Sequence, residues 1–522
     1  MQPVPFFDTV IVIGSLVALL AVAAWLAARQ RATMDYYLAG RRLPAWAMGA
    51  SLAANQVSAI SLIGAPAFVA LRPGGGLTWL QYELAVPLAM AVLVVWGVPF
   101  LRRAAGASVY AALEARLGMQ GRRTAAWLFL AGRGGGAGVV LYASALVVDA
   151  VTGWGLSASL LVMGVVALGY TALGGLAADV ITDVLQLGLL WGGTLAAGLA
   201  LAVRLHRDGA LAWALEPARL RTLDLAGHGL GDGATFAFWP MLVGGFFLYL
   251  SYYGCDQTQA QRLLAARTAA EARRALATAA WLRFPLVVTY CAFGVLLAIL
   301  LHAEPAFAAR LAGRSADALV PEFIAWALPI GVRGVAVAGI LAAALSSLDS
   351  ALNSLSAVTL EEVVPSRWAA SVWVARLTTV AWGGATVAAA FAFAHAGETT
   401  IELVNRVGSA VYGPMLALFA LAYVAGERAA RVAVPAAAGV VATLMIGWLA
   451  PQVSWLWWNV LGFAVTAGGA LTLSRLRLRL PGEPREAPAR RTAECLLLLF
   501  ATILATLALL QAWAAAAWPQ MD

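Results

Sequence analysis

The chain contains no lysine: all 34 of its basic residues are arginine. Charge of either sign is scarce, at 11% of residues, where soluble domains carry about 25%. Only three cysteines are present, Cys255, Cys291 and Cys495, with no CxxC pair. This argues against a disulfide framework or a thiolate metal cluster. The four histidines, His206, His228, His302 and His395, fall in no ligand spacing. A glycine-rich phosphate loop is missing, as is any visible grouping of nucleophile, base and orienting residue, so neither a cofactor nor enzyme chemistry is expected. What remains is apolar. Hydrophobic residues make up 62% of the 522 and the mean hydropathy is +0.83, which no soluble core requires.

Repeated apolar runs of about 20 residues match the length at which a helix crosses a hydrocarbon layer of roughly 30 Å. They predict an all-α integral membrane protein with about fourteen transmembrane helices, near 7–28, 44–72, 76–101, 121–149, 155–173, 178–203, 235–257, 276–301, 326–358, 370–395, 399–424, 431–450, 454–474 and 493–517. The first run has no basic residue before it and is followed by Arg29 and Arg31, so it reads as a retained anchor with its N-terminus outside. With that orientation 22 arginines lie in cytoplasmic loops, 7 in external loops and 5 within spans, as the positive-inside rule demands of a plasma (inner) membrane protein. Both termini are then outside. The net charge of +8 reports topology and contact with anionic lipid, and does not argue for nucleic acid.

Residues 1–43 form a peripheral helix and cytoplasmic loop, 204–234 an external loop, and 425–522 accessory helices. Between them, 44–203 and 235–424 each hold five spans. An odd number makes the second set enter from the opposite side, which permits an inverted repeat of the kind found in secondary transporters, with the first helix of each repeat unwound. Both first helices carry interruptions. One contains "SLAANQVSAISLIGA" (51–65), with Asn55, Gln56, Ser58 and Ser61 at its centre, and the other "GGFFLYLSYYGCDQTQ" (244–259).

Polar residues inside spans are costly and mark functional candidates. "GILAAALSSLDSALNSLSAV" (339–358) places Ser346, Ser347, Asp349, Ser350, Asn353, Ser354 and Ser356 within about half the circumference of one helix. Asp183 in "AADVITDVLQLG" has Gln186 one turn on. Hydroxyls, freed carbonyls and a carboxylate are the oxygen set that a Na⁺ ion requires. Ser354 and Ser356 are expected to hold helices together. Arg133, Arg283 and Arg406 are also intramembrane. A guanidinium fork suits a carboxylate, so Arg283 and Arg406 either bind an anionic solute or pair with protein carboxylates such as Glu83. Arg333 and Arg376 sit nearer helix ends and are expected to snorkel.

Five stretches, "DYYLAGRRLPAWAMGASLAANQVSAISLIG" (35–64), "YTALGGLAADVITDVLQ" (170–186), "CDQTQAQRLLAARTAAEARRA" (255–275), "AGILAAALSSLDSALNSLSAV" (338–358) and "GSAVYGPMLALFALA" (408–422), together resemble the solute:sodium symporter family. The resemblance implies a LeuT-like 5+5 inverted repeat and Na⁺-coupled uptake of a small organic solute, with Na⁺ as coupling ion. Its principal sodium site falls on the carbonyls of Ala54, Val57 and Ala343 and the hydroxyls of Ser346 and Ser347. A further cation site falls on Asp183, Ser346, Asp349 and Ser350, where Asp349 replaces the family's Ser or Thr. From the sugar-transporting members come an inner gate at Tyr252, held by Gln56, and solute-facing positions at Ser61, Glu83, Tyr249, Arg283 and Arg406, to which Ser58 and Tyr252 are added. Arg406 where sugar transporters have Gln points to a carboxylate-bearing solute. The alternatives are a proton-coupled symporter with Asp183 and Asp349 as relay, a sugar or polyol substrate, and a membrane solute sensor.

Overall fold

In a bilayer, backbone groups have no water to bond and must satisfy one another within each segment. The computed structural model answers with helices throughout. It describes residues 6–27, 33–57, 59–103, 107–369, 371–394, 400–424, 431–474 and 487–518. Among these there is no β-strand, only one isolated bridge between Leu230 and Val453. The first half runs α1 (Phe6–Ala27), α2 (Thr33–Leu38), α3 (Ala45–Gln56), α4 (Ala59–Leu71), α5 (Ala85–Val92), α6 (Val98–Leu101), α7 (Ala111–Thr152) and α8 (Leu156–Arg207). Then come α9 (Gly245–Gly254), α10 (Gln257–Leu264), α11 (Ala269–Ala303), α12 (Pro305–Arg310), α13 (Leu319–Ala327), α14 (Val332–Glu362), α15 (Ser366–Ala369), α16 (Val372–Phe393) and α17 (Thr400–Val424). The accessory helices are α18 (Ala433–Leu449), α19 (Leu456–Ser474) and α20 (Ala487–Ala517).

By length and apolarity ten helices among the described residues are able to cross a membrane, or eleven if the bent pair α3 and α4 is one span. Fourteen were expected from hydropathy. The three that fall short are the first part of α8, where the apolar helix is Leu156–Gly169, the α9–α10 segment, and α18. Gly175 divides α8 at φ 57°, a left-handed conformation that glycine adopts without strain. The expected span at 326–358 begins later, at Val332, because Leu328 is extended and Gly331 has φ 88°.

Two breaks position the centre of the molecule. The α3 pattern ends with the Val57 N–H on the Ala53 carbonyl, Val57 itself is non-helical (φ −87°, ψ 83°), and α4 departs at 53°. The second break lies between α9 and α10, at Cys255 and Asp256. Asp256 caps α10 by accepting the Thr258 N–H at 2.8 Å, the arrangement favoured for an Asp two residues ahead. Thus the first helix of each expected repeat is broken, and α10, outside the span drawn from hydropathy, is the second half of its helix.

Helix α14 fills the middle, with 94% of its most apolar window buried. It approaches α8 over small residues: a Cβ on Gly339 would lie 2.8 Å from the Leu189 carbonyl oxygen, the close contact that bilayer helices use. One end is fixed by Asp8 of α1, whose Oδ1 accepts the Gly331 and Gly334 N–H groups at 2.7 and 3.0 Å. At the other, Glu361 accepts the Ala107 and Ser108 N–H groups at 2.8 and 2.7 Å. Outside the helices, Asp232 accepts backbone N–H groups from His228, Gly229 and Ala234, and these donors hold its carboxyl below the usual range.

Candidate functional site

The α3 break and α14 carry the five residues expected for the principal sodium site. Ala54, Val57, Ala343, Ser346 and Ser347 are all buried. Ser347 Oγ donates to the Asn55 carbonyl at 3.3 Å and so ties α14 to the broken helix. Ser346 turns the other way and donates to Asp183 Oδ1 on α8. The two serines are adjacent in sequence and differ by about 100° around the helix, which is why they reach different neighbours.

Behind Ser346 lies a buried ionic cluster. The guanidinium of Arg262, on α10, is 1% exposed and places Nη2 3.0 Å from Asp179 Oδ2, 3.0 Å from Asp183 Oδ2 and 2.6 Å from Ser350 Oγ. Its Nε bonds Ser51 at 2.6 Å, and Ser51 donates onward to Asp183. Ser350 donates to Asp179 Oδ1 at 2.7 Å. Of the residues expected for a second cation, Asp183, Ser346 and Ser350 therefore meet around Arg262. Asp349 does not join them by hydrogen bonding: it is buried, and among the described residues neither of its carboxylate oxygens has a hydrogen-bond partner of good geometry. The neighbouring Thr171 hydroxyl donates instead to the Ala167 carbonyl at 2.8 Å. Asp179 and Arg262 escaped the sequence reading. The i, i+4 pair in "DVITD" and a lone Arg in the apolar-faced "QTQAQRLL" are the local signals, but their meeting rests on tertiary packing. Ser354 and Ser356 do bind helices, to Thr258 at 2.8 Å and to the Ala375 carbonyl at 2.9 Å.

On the other side of Ser347 is a cavity of about 120 Å³. Its wall includes Gln56, Ser61, Tyr249, Tyr252 and Arg283 from the expected set, together with Asn55, Trp79, Tyr82, Arg133, Tyr290, Asn405 and Tyr412. Ser58 lies outside the described residues. Tyr252 is held by Gln259, whose Nε2 donates to its hydroxyl at 2.7 Å, with Asn55 Oδ1 at 3.4 Å; Gln56 makes no hydrogen bond to it, and its Oε1 is buried without a partner.

The three intramembrane arginines separate here. Arg283 forms a bidentate pair with Glu83, Nε to Oε2 at 2.6 Å and Nη2 to Oε1 at 2.7 Å, and also bonds the Tyr249 hydroxyl at 2.9 Å. Glu83 sits behind it, off the cavity wall. Arg406 does not line the cavity; its guanidinium lies 5.5 Å from the Trp458 ring centroid. Arg133 does line it. This arginine is half-buried, its Nη2 donates to Asn55 Oδ1 at 3.4 Å and the Tyr252 hydroxyl lies beside it, while among the described residues its Nε has no partner and no carboxylate lies within 4.0 Å. A guanidinium whose fork no carboxylate fills is a ready partner for an anion.

Comparison with known proteins adds three relationships. The chain is 28% identical over 404 residues to the human sodium/iodide cotransporter, covering 75% of this chain and 61% of that protein, so it spans less than two thirds of that relative. It is 27% identical over 434 residues to the mouse sodium-coupled monocarboxylate transporter 1, covering 80% and 68%. Its fold is that of a solved Na⁺-coupled sialic acid symporter in a substrate-bound outward-open state, with a TM-score of 0.76 at 23% identity over 90% of this chain and 98% of the other. The family described as "Sodium:solute symporter family" matches residues 36–431. A multi-pass helical chain with this LeuT-like architecture and this family match is a member of the sodium:solute symporter family.

Proposed function

We propose that this chain couples inward Na⁺ movement to the uptake of a small monocarboxylate by alternating access across the plasma (inner) membrane, N-terminus outside. The observation that carries the substrate reading is Arg133, a half-buried guanidinium on the wall of a cavity of about 120 Å³, with no carboxylate within 4.0 Å of it among the described residues. Sodium coupling is supported by the family and by Ser347 meeting the broken α3 beside the cavity wall. The orientation is supported by the arginine distribution.

In the proposed cycle Na⁺ joins the carbonyls of Ala54 and Val57 to α14 at Ala343, Ser346 and Ser347. This favours the outward-open state through its greater affinity for that state. The carboxylate then sits on Arg133 while Ser61, Gln56 and Asn405 offer hydrogen bonds and the tyrosines exclude water. Closure and rocking separate the two halves of the sodium site, releasing Na⁺ inward. A tenfold Na⁺ gradient contributes about 1.4 kcal/mol per ion, and 100 mV about 2.3 kcal/mol per net charge. One Na⁺ with a monoanion carries no net charge and supports roughly tenfold accumulation. Two Na⁺ support roughly 5 × 10³-fold.

The test is thermal stabilisation of the purified protein by propionate, lactate, hexoses, polyols and amino acids, with and without Na⁺. Stabilisation by a monocarboxylate only in Na⁺ is expected; stabilisation confined to hexoses, or independent of Na⁺, removes the reading. A second cation, Na⁺ or a proton, is favoured by one observation: the buried carboxylate of Asp349 beside those of Asp179 and Asp183.

A further inference from the structure

The cavity wall carries two guanidinium groups and no carboxylate, yet the two are electrically unlike. Arg283 is neutralised from behind by Glu83 through two short parallel bonds, and both groups are buried. Arg133 reaches neutral groups instead, Asn55 Oδ1 at 3.4 Å and the Tyr252 hydroxyl. Asp256 acts on it from beyond 4.0 Å, and its own oxygens accept the Thr258 N–H at 2.8 Å and the Tyr412 hydroxyl at 3.2 Å. Among the described residues the wall therefore presents one guanidinium whose fork no carboxylate fills.

We infer that Glu83, by cancelling Arg283, sets the transporter to accept one carboxylate and to reject two. Glu83 is a specificity-determining residue that does not touch the solute; it acts through Arg283. A dianion entering the cavity places its second carboxylate against an arginine whose fork is already filled, and next to a buried negative charge. Such an unmatched, desolvated charge is strongly disfavoured. A monoanion needs only Arg133. This inference rests on the monocarboxylate reading above and adds to it a rule for charge selection.

The experiment compares propionate with malonate, which match in chain length and differ by one carboxylate, in purified protein saturated with Na⁺. Dissociation constants come from thermal-shift titrations. Wild-type protein binds propionate in preference. Glu83→Gln releases the Arg283 fork, and the malonate-to-propionate affinity ratio rises by roughly tenfold or more. Glu83→Gln with Arg283→Gln removes both charges, and preference for the monoanion returns whatever the absolute affinity. This double variant also serves if the single variant does not fold. An unchanged ratio in a folded Glu83→Gln, or a double variant that prefers malonate, overturns the inference while leaving the monocarboxylate reading intact. If wild-type protein binds neither acid, both fall together.

Discussion

Replacing Arg133 by Gln tests the substrate assignment with little disturbance of the fold. Arg133 shares the acceptor Asn55 Oδ1 with Gln259 Nε2, which lies nearer, at 3.0 Å against 3.4 Å. Its removal leaves Asn55 Oδ1 with the Gln259 donor, and Asp256, which acts on Arg133 from beyond 4.0 Å, keeps the Thr258 N–H and the Tyr412 hydroxyl. The loss falls on the bound anion instead. A hydrogen bond to a charged group contributes about 1.5–3 kcal/mol, so the affinity for propionate should fall by a factor of roughly 10 to 160. Arg406→Gln is the matched control: it removes the same charge from a site off the cavity wall, above Trp458, and should change affinity by less than about twofold. Uptake into proteoliposomes under a fixed Na⁺ gradient measures both. Arg133→Gln with wild-type half-saturation, or a larger loss in Arg406→Gln, would refute the reasoning.

Ser347→Ala should raise the Na⁺ concentration for half-maximal uptake several-fold, since one oxygen ligand and the bond to the Asn55 carbonyl vanish together; an unshifted Na⁺ titration rejects the principal site. For Asp349→Ser, a lower Na⁺ Hill coefficient identifies a second Na⁺, a changed pH profile alone identifies a proton, and no change in either assigns Asp349 a structural part only. Arg262→Ala strands Asp179 and Asp183 in the interior and should destabilise the protein by about 3–5 kcal/mol. Adding Asp179→Asn should recover part of that loss in thermal unfolding, and a variant as stable as the parent contradicts the cluster's role.

The seam at the centre was largely legible in the chain. Polar residues in "NQVS" weaken a helix that apolar neighbours would otherwise continue, and α3 does stop at Gln56. The serines of α14 share a face because helical periodicity leaves them no other place. The count of crossing helices was less legible, since α9 and α10 are each short and the second is too polar for a hydropathy window to include. Asp256 capping α10 is a local signal that marks that boundary better than hydropathy does.

The pairing of charges belonged to the tertiary structure. Arg133, Arg283 and Arg406 look alike in sequence, each a single cation in an apolar run, and any of them fits a solute carboxylate. What distinguishes them is a partner far along the chain: Glu83 lies 200 residues from Arg283, and Asp183 lies 79 residues from Arg262. Local periodicity reports which face a residue occupies, because that depends only on helix geometry. Whether a buried charge is answered depends on which helices are brought together, and in a bilayer that choice determines which cation is left for the solute.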